Sequence, residues 1–258
     1  MDVVDLPVNH FKRAIHAGQQ QIGLWSSLAS NITTEVLAGA GFDWLLIDAE
    51  HAPNDLRTVL GQLQAMTEYP MTQPIVRVPA NDKIEIKRYL DAGVQSFLVP
   101  MVETAEEARA AVSYTRFSPE GIRGFAGVSR SSRFGRIKDY HRRAHEEICI
   151  LVQVESARGL ENLEAIAGVP GVDGVFIGPG DLSAELGHLG NQGHPDIVEL
   201  IEKSIRRIVA AGNRAGILTG DEALARRYMA AGCVYTAVGL DTGILARGAE
   251  ALAKKYRD

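Results

Sequence analysis

The 258-residue sequence lacks several features that mark whole classes of protein. It has only two cysteines, Cys149 and Cys233, in apolar contexts far apart, so we expect buried thiols and no disulfide framework. No stretch approaches the roughly 18–20 apolar residues that span a bilayer. The amino terminus has no basic start followed by an apolar run, so it does not resemble a signal peptide. These absences predict a cytoplasmic protein without a membrane segment.

The chain also lacks an excess of positive charge, and it has no internal linkers. Its net charge of −5 argues against general nucleic-acid binding. No low-complexity segment divides it, and hydrophobic residues make up 46% of the sequence, enough for a large core. We therefore expect residues 1–258 to form a single domain.

Short apolar runs alternate with helical patterns along the whole chain. The runs are apolar throughout, as in parallel strands that are covered on both faces. The predicted strands are 21–25, 44–48, 75–78, 96–99, 149–154, 174–177, 214–218 and 235–238. Glycines that stop a helix just before a strand are expected at Gly41, Gly93, Gly171, Gly212 and Gly232. Eight strands alternating with at least eight helices favour a (β/α)8 TIM barrel, with an additional helix at the amino terminus.

Acidic side chains follow two of these predicted strands. Glu155 ends the run LVQVES, and Asp181 follows VFIGPG. The carboxyl ends of barrel strands meet at one face, so these acids are candidates for a divalent metal site with oxygen ligands. The alternatives are that Asp181 caps the helix that follows it and that Glu155 pairs with Arg158 at the surface.

A histidine and a carboxylate end the second predicted strand, in IDAEHAPND. His51 could act as a base with Asp48 as the group that orients its ring, but it could also be a metal ligand or a structural histidine. The other histidines, His10, His16, His141, His145, His188 and His194, fall in helices or loops away from the strand ends.

Three further features belong to the same predicted face. Arg77 ends the third strand, where a substrate carboxylate, an enolate oxygen or a barrel acid such as Glu50 would pair with it. Gln153 lies two positions before Glu155 and therefore on the same face of its strand. The turn GPGDL at 178–182 could direct backbone N–H groups at an anion, although a tight turn alone explains its glycines.

The positions of the lysines and arginines are also informative. No lysine ends a strand in apolar surroundings, so a Schiff-base mechanism has no good candidate residue. The segment 116–143 is rich in arginine. It could be an ion-paired surface, a subunit contact or a clamp for an acidic substrate, and Arg130 and Arg133 are the candidates for such a clamp.

Taken in order, these motifs resemble those of the HpcH/HpaI family of class II, metal-dependent pyruvate aldolases, which includes 4-hydroxy-2-oxoheptanedioate aldolase and 2-dehydro-3-deoxyglucarate aldolase. The resemblance runs from about Phe11 to Tyr256. Its motifs are LLIDAEHAPND, IVRVPAND, FLVPMVETAEEA, PEGIRG, LVQVESARGLENL, DGVFIGPGDLSAELGHLGN and AVGLDTGILARG.

The resemblance implies retro-aldol cleavage of a 4-hydroxy-2-oxo acid to pyruvate and an aldehyde, and the reverse addition, through a metal-stabilised pyruvate enolate. It implies Mg²⁺, Mn²⁺ or Co²⁺ held by Glu155 and Asp181, proton transfer by His51 with Asp48, and contact of Arg77 with the enolate oxygen. Further pyruvate contacts are implied at Gln153, Pro179, Gly180, Asp181 and Leu218.

The resemblance also implies a homohexamer with exchanged amphipathic carboxyl-terminal helices. Ala49 departs from the family, in which glycine is common at that position, and FAGVSRSSRFGR matches neither named subgroup. The alternatives are a decarboxylase or other lyase that uses an oxaloacetate or pyruvate enolate, and a non-catalytic barrel that binds a metal or an oxo acid.

Overall fold

In residues 4–257, eight parallel strands close into a barrel in which each strand pairs with its neighbours in sequence and β8 pairs with β1. The structure is a computed structural model that describes residues 4–257. The strands are β1 (Gln21–Ser26), β2 (Trp44–Asp48), β3 (Gln73–Arg77), β4 (Ser96–Val99), β5 (Cys149–Val154), β6 (Gly174–Ile177), β7 (Ala215–Leu218) and β8 (Cys233–Leu240). The predicted (β/α)8 barrel is confirmed, and the strand bounds differ from the prediction by two residues at most.

Helices lie between the strands and cover the barrel. They are α1 (His10–His16), α2 (Asn31–Ala38), α3 (Leu56–Ala65), α4 (Lys83–Asp91), α5 (Ala105–Ser113), α6 (Tyr140–Arg143), α7 (Ala157–Glu161), α8 (Leu163–Ala167), α9 (Pro179–Glu185), α10 (Pro195–Ala210), α11 (Glu222–Ala230) and α12 (Asp241–Lys254). The predicted stop glycines, Gly41, Gly93, Gly171, Gly212 and Gly232, all have positive φ. This is the left-handed conformation in which glycine ends a helix.

The core has two layers. One apolar layer lies between the strands and the surrounding helices, and a second fills the inside of the barrel. Phe11 and Ile15 of α1 are fully buried and close the amino-terminal end of the barrel. The ring of Phe11 packs edge-on against Trp44 at 5.9 Å and against Tyr235 at 5.7 Å. The filled interior leaves the carboxyl-terminal end of the barrel as the place for a ligand.

The last helix, α12, starts at Asp241, whose carboxylate accepts hydrogen bonds from the backbone N–H groups of Ser27 and Leu28. Beyond this first residue the helix is largely exposed, and Ile244, Leu245 and Leu252 have more than half of their surface in contact with solvent. The exchange of this helix between subunits stays a prediction.

Both cysteines are free and buried, as predicted. Within residues 4–257 there is no helix with the length and apolar character needed to cross a membrane.

Candidate active site

A cavity of about 640 Å³ opens at the carboxyl ends of the strands. This volume is within the usual range for sites that bind small molecules. Its walls include Trp25, Asp48, His51, Arg77, Gln153, Glu155, Pro179, Gly180, Asp181 and Leu218. The structure therefore brings together in one cavity every residue to which the family resemblance gives a role, although these residues come from distant parts of the chain.

The arginine of this cavity is held rigidly by two acids and an indole. Asp48 and Arg77 are paired in the register of β2 and β3, so their side chains meet side by side. Arg77 Nε and Nη2 donate to the two Asp48 carboxylate oxygens at 2.9 and 2.7 Å, and Nη1 lies 2.7 Å from Glu50 Oε2. The guanidinium carbon also lies 5.1 Å from the centre of the Trp25 ring, as in a cation–π contact. The sequence-based alternative of an ion pair with Glu50 is thus confirmed and extended to Asp48.

Asp48 also organises the loop that follows β2. Its Oδ1 accepts the backbone N–H groups of Glu50 at 3.0 Å and His51 at 3.3 Å. Burial alone would raise the pKa of Asp48, but the hydrogen bonds and charge of Arg77, together with these two N–H groups, outweigh it and lower the pKa. Asp48 is therefore a buried, ionised anchor for Arg77.

The ring of His51 does not have the partner that the sequence suggested. In the described part of the chain the imidazole makes no hydrogen bond to Asp48, whose two carboxylate oxygens accept the forked donors of Arg77. The ring lies instead at the rim of the cavity, with 68% of the side chain exposed and Nε2 3.8 Å from Glu50 Oε2. Asp48 positions the backbone of His51, and Glu50 is the carboxylate beside its ring.

Glu155 lies deeper in the cavity and is only 4% exposed. Its Oε1 accepts the backbone N–H of Met101 at 3.0 Å, and its Oε2 accepts a hydrogen bond from Gln153 Nε2. Burial raises the pKa of Glu155, the two hydrogen bonds offset part of this effect, and the negative charges of Glu50 and Asp181 add to it. The alternative of a surface pair with Arg158 is wrong, since Arg158 contacts Glu103.

Asp181 is the third residue of α9, and the helix is capped at Gly178. The alternative in which Asp181 is the capping residue is therefore wrong. The same Gly178 makes room for the metal-site candidate Glu155. A Cβ atom at position 178 would lie 2.4 Å from Glu155 Oε2 and 2.7 Å from Glu155 Cβ. The absence of a side chain at Gly178 thus keeps Glu155 in its place.

The electrostatics of the cavity fit a divalent cation. The carboxylates of Asp48, Glu50, Glu155 and Asp181 lie close enough to act on one another, and the guanidinium of Arg77 acts on Asp48 and Glu50. Burial raises the pKa of Glu50 as well, with Arg77 and His51 opposing this effect and the other acids adding to it. A bound cation would relieve the effects that raise the pKa values of Glu50 and Glu155, and carboxylate oxygens are the ligands that hard divalent ions prefer.

Gln153 leaves a polar atom open in the same cavity. Its amide nitrogen is engaged by Glu155, while its Oε1 is buried without a hydrogen-bond partner in residues 4–257. Buried acceptors are normally paired, so this oxygen is available to a donor group on a ligand or water molecule.

Arg130 and Arg133 are not in this cavity. They line a separate one at the opposite end of the barrel, beside Gly93 and Gln95, which precede β4. Arg130 Nη1 donates to the carbonyl of Ala92 at the end of α4. Arg130 and Arg133 therefore do not clamp a substrate in the cavity of their own chain, because they lie at the other end of the barrel. For a single chain, that expectation is wrong.

Sequence reasoning missed Trp25 and Met101, and it considered Glu50 only as a possible ion-pair partner of Arg77. Trp25 supports Arg77, and its indole N–H lies 3.3 Å from Asp48. Met101 adopts a left-handed conformation with φ 51° that directs its N–H to Glu155. Trp25 lies next to the end of β1, and this position could have indicated it. The contact of Met101 is made by its backbone N–H, which the residue type does not predict.

The chain is similar to known proteins over most of its length. The family profile described as "HpcH/HpaI aldolase/citrate lyase" matches residues 21–248. The chain is 58% identical to hydroxypyruvate/pyruvate aldolase of Deinococcus radiodurans over 97% of this chain and 90% of that protein. It is 54% identical to 4-hydroxy-2-oxo-heptane-1,7-dioate aldolase of Salmonella dublin over 96% and 94% of the two chains.

A solved structure is also similar. It is the crystal structure of an HpcH/HpaI aldolase/citrate lyase family protein from Burkholderia cenocepacia, which is 42% identical to this chain. The two structures superpose with a TM-score of 0.93, covering 97% of this chain and all of the other.

Proposed function

Because the chain belongs to the HpcH/HpaI aldolase/citrate lyase family, we propose that it is a class II pyruvate aldolase acting on 4-hydroxy-2-oxo acids. Its aldolase-named relatives already support the broader statement that it is an enzyme that cleaves carbon–carbon bonds. The finer proposal is retro-aldol cleavage to pyruvate and an aldehyde, and the reverse addition. The observation that carries it is the single cavity in which carboxylates crowd around one rigidly held arginine.

Glu155 and Asp181 are the residues that would hold a divalent cation, Mg²⁺, Mn²⁺ or Co²⁺. Both line the cavity, and the negative charge of Asp181 helps to raise the pKa of Glu155. When bound, the cation supplies Lewis-acid stabilisation for negative charge that develops on the substrate. Gly178 serves this site by leaving room for the Glu155 carboxylate.

Arg77 stabilises the enolate oxygen of pyruvate as the C3–C4 bond of the substrate breaks. Its guanidinium is fixed before the substrate arrives, by Asp48 on one side, by Glu50 on another and by the Trp25 ring. A donor that does not have to reorganise is worth most where charge appears only in the transition state. The two acids thus act through Arg77 by fixing its direction.

His51 removes the proton from the C4 hydroxyl group. The electron pair of the C3–C4 bond then passes to the pyruvate enolate, the aldehyde leaves, and a proton returns to C3. The exposed ring at the rim can reach a substrate that extends out of the cavity. Its Nε2 lies 3.8 Å from Glu50 Oε2, so Glu50 is the carboxylate placed to orient the ring.

The part of the substrate that becomes pyruvate would contact Gln153, Leu218 and the backbone of Pro179 to Asp181, all on the cavity wall. The unpaired Gln153 Oε1 would accept a hydrogen bond from a hydroxyl group or an ordered water. A homohexamer and a cytoplasmic location stay predictions from the sequence.

The test is pyruvate release from a panel of 4-hydroxy-2-oxo acids with and without a distal carboxylate. We expect Glu155→Gln to lower kcat/KM by at least about 100-fold through loss of the metal. Glu161→Gln, at an exposed acid of α7, is the matched control and should keep the wild-type rate. A wild-type rate in Glu155→Gln would refute the proposal. Pyruvate formation from oxaloacetate, with no cleavage of any hydroxy-oxo acid, would favour the decarboxylase alternative.

A further inference from the structure

A histidine pair lies outside the catalytic residues, in the connection between α9 and α10. The rings of His188 and His194 are stacked with their centres 3.8 Å apart and an interplanar angle of 25°. The carboxylate of Asp196 is beside them, 3.7 Å from His194 Nδ1. One donor atom from each of the three residues lies within 4.8 Å of the other two. We propose that His188, His194 and Asp196 form a second metal site, which takes a borderline transition-metal ion such as Zn²⁺.

The ligand chemistry distinguishes this site from the carboxylate cavity. Two imidazoles with one carboxylate suit Zn²⁺, Cu²⁺ or Ni²⁺, whereas oxygen-only sets suit Mg²⁺ and Mn²⁺. Tetrahedral Zn²⁺ with bonds of about 2.0–2.2 Å places its donor atoms roughly 3.4 Å apart. The three side chains must therefore move inward by about 1 Å, and ring rotation must direct both nitrogen lone pairs at the ion. The histidines are half-buried and Asp196 is exposed, so this adjustment disturbs no packed core. Water would complete the coordination.

The capping of α10 gives a second reason to look for a ligand role. His194 is the residue before α10, and its Nδ1 accepts the N–H of Asp196 at 3.3 Å. Serine, threonine, asparagine and aspartate are the residues that cap helices well, and histidine is not among them. Histidine thus caps α10 here, although it is an unusual residue for that role. A histidine at this position could also bind a metal ion. Among the residues that usually cap helices, only aspartate shares that ability.

The location of the pair connects it with the catalytic cavity. Gln192, two residues before His194, lines that cavity. Its Nε2 is 3.6 Å from the position of a Cβ on Gly180, which directly precedes Asp181 in α9. An ion at the histidine site would join the two ends of the segment 188–196 and restrain Gln192 over α9. The site would thus steady one wall of the cavity without contributing to the reaction.

The test separates the two metal sites by removing the first. The double variant Glu155→Gln, Asp181→Asn lacks both proposed ligands in the cavity, and its Zn²⁺ binding is measured by titration calorimetry after chelator treatment. We expect one Zn²⁺ per chain, and we expect Co²⁺ to give the visible absorption of a four-coordinate site.

Adding His194→Ser to this double variant should weaken Zn²⁺ binding by at least 10-fold while it keeps a capping hydroxyl for α10, and His188→Asn should do the same. His145→Asn removes an exposed histidine elsewhere and should leave binding unchanged. A double variant that binds no Zn²⁺, or equal affinity with and without His194→Ser and His188→Asn, would overturn the proposal. Melting curves of each variant check that it is folded.

Discussion

Replacement of Gly178 by alanine should damage the proposed metal site through a steric contact alone. The backbone at Gly178 has φ −91° and ψ 96°, which alanine adopts without strain. The added Cβ would lie 2.4 Å from Glu155 Oε2, 2.7 Å from Glu155 Cβ and 3.0 Å from Gln153 Nε2. Since favourable contacts between such atoms need about 3.5 Å, the groups must separate by roughly 1 Å.

The short distance to Glu155 Cβ decides what must move. Rotation of the carboxylate would relieve the contact with Oε2 but not the contact with Cβ, so the whole side chain of Glu155 or the turn at Gly178 has to shift. We expect the free energy of unfolding to fall by about 1–3 kcal/mol, as for other overpacked sites. Displacement of a ligand side chain should weaken Mn²⁺ binding by about 10–100-fold, the range found when the support of a metal ligand is lost.

The assay is Mn²⁺ titration of the chelator-treated protein, combined with urea unfolding. Gly61→Ala in α3 is the matched control, because its Cβ would meet only Asn31 Cβ at 3.9 Å. That control should bind Mn²⁺ normally and gain about 0.5–1 kcal/mol from the better helix former. Gly178→Ala protein that binds Mn²⁺ with wild-type affinity would show that Gly178 does not govern the position of Glu155.

Three further predictions concern the remaining groups of the cavity. Arg77→Lys keeps the charge but loses the forked contact with Asp48, so steady-state kcat/KM should fall at least about 100-fold, and a near-normal value would contradict the role of the fork. His51→Asn should lower kcat by about 10²–10⁴-fold and leave Mn²⁺ affinity unchanged, whereas a wild-type rate would remove the proposed base. The raised pKa of Glu155 in the folded state adds stability that is fully present below its unfolded pKa and is lost as pH rises through the raised value. Urea unfolding of metal-free protein should therefore show a larger loss of stability with rising pH in the wild type than in Glu155→Gln, and equal pH dependence would refute this reading.

The fold could be predicted because parallel barrel strands are buried on both faces and therefore read as short apolar runs. Both faces of β5, for example, are buried along its whole length. The gathering of Glu155 and Asp181 could be predicted from the same rule, since the carboxyl ends of all eight strands meet at one face. What the sequence left open was which side chains touch there.

Residue spacing in the sequence did not predict which side chain pairs with Asp48. Spacing of three residues suggested that it pairs with His51, but the register of β2 on β3 places Asp48 beside Arg77. That register depends on the packing of the whole barrel. The arginines of the segment 116–143 were misplaced for a different reason: the segment follows α5 and precedes β5, so it belongs to the amino-terminal face of the barrel. The order of elements predicts this location. The positive charge of Arg130 and Arg133 instead suggested that they bind an anionic substrate.

The most direct test of a metal-dependent aldolase is the rate of pyruvate release from a 4-hydroxy-2-oxo acid by protein freed of metal with a chelator. If Glu155 and Asp181 hold a cation that the reaction needs, release should fall to background and return when Mg²⁺, Mn²⁺ or Co²⁺ is added back. The same addition should restore nothing in Glu155→Gln. A rate that survives complete metal removal would contradict the account.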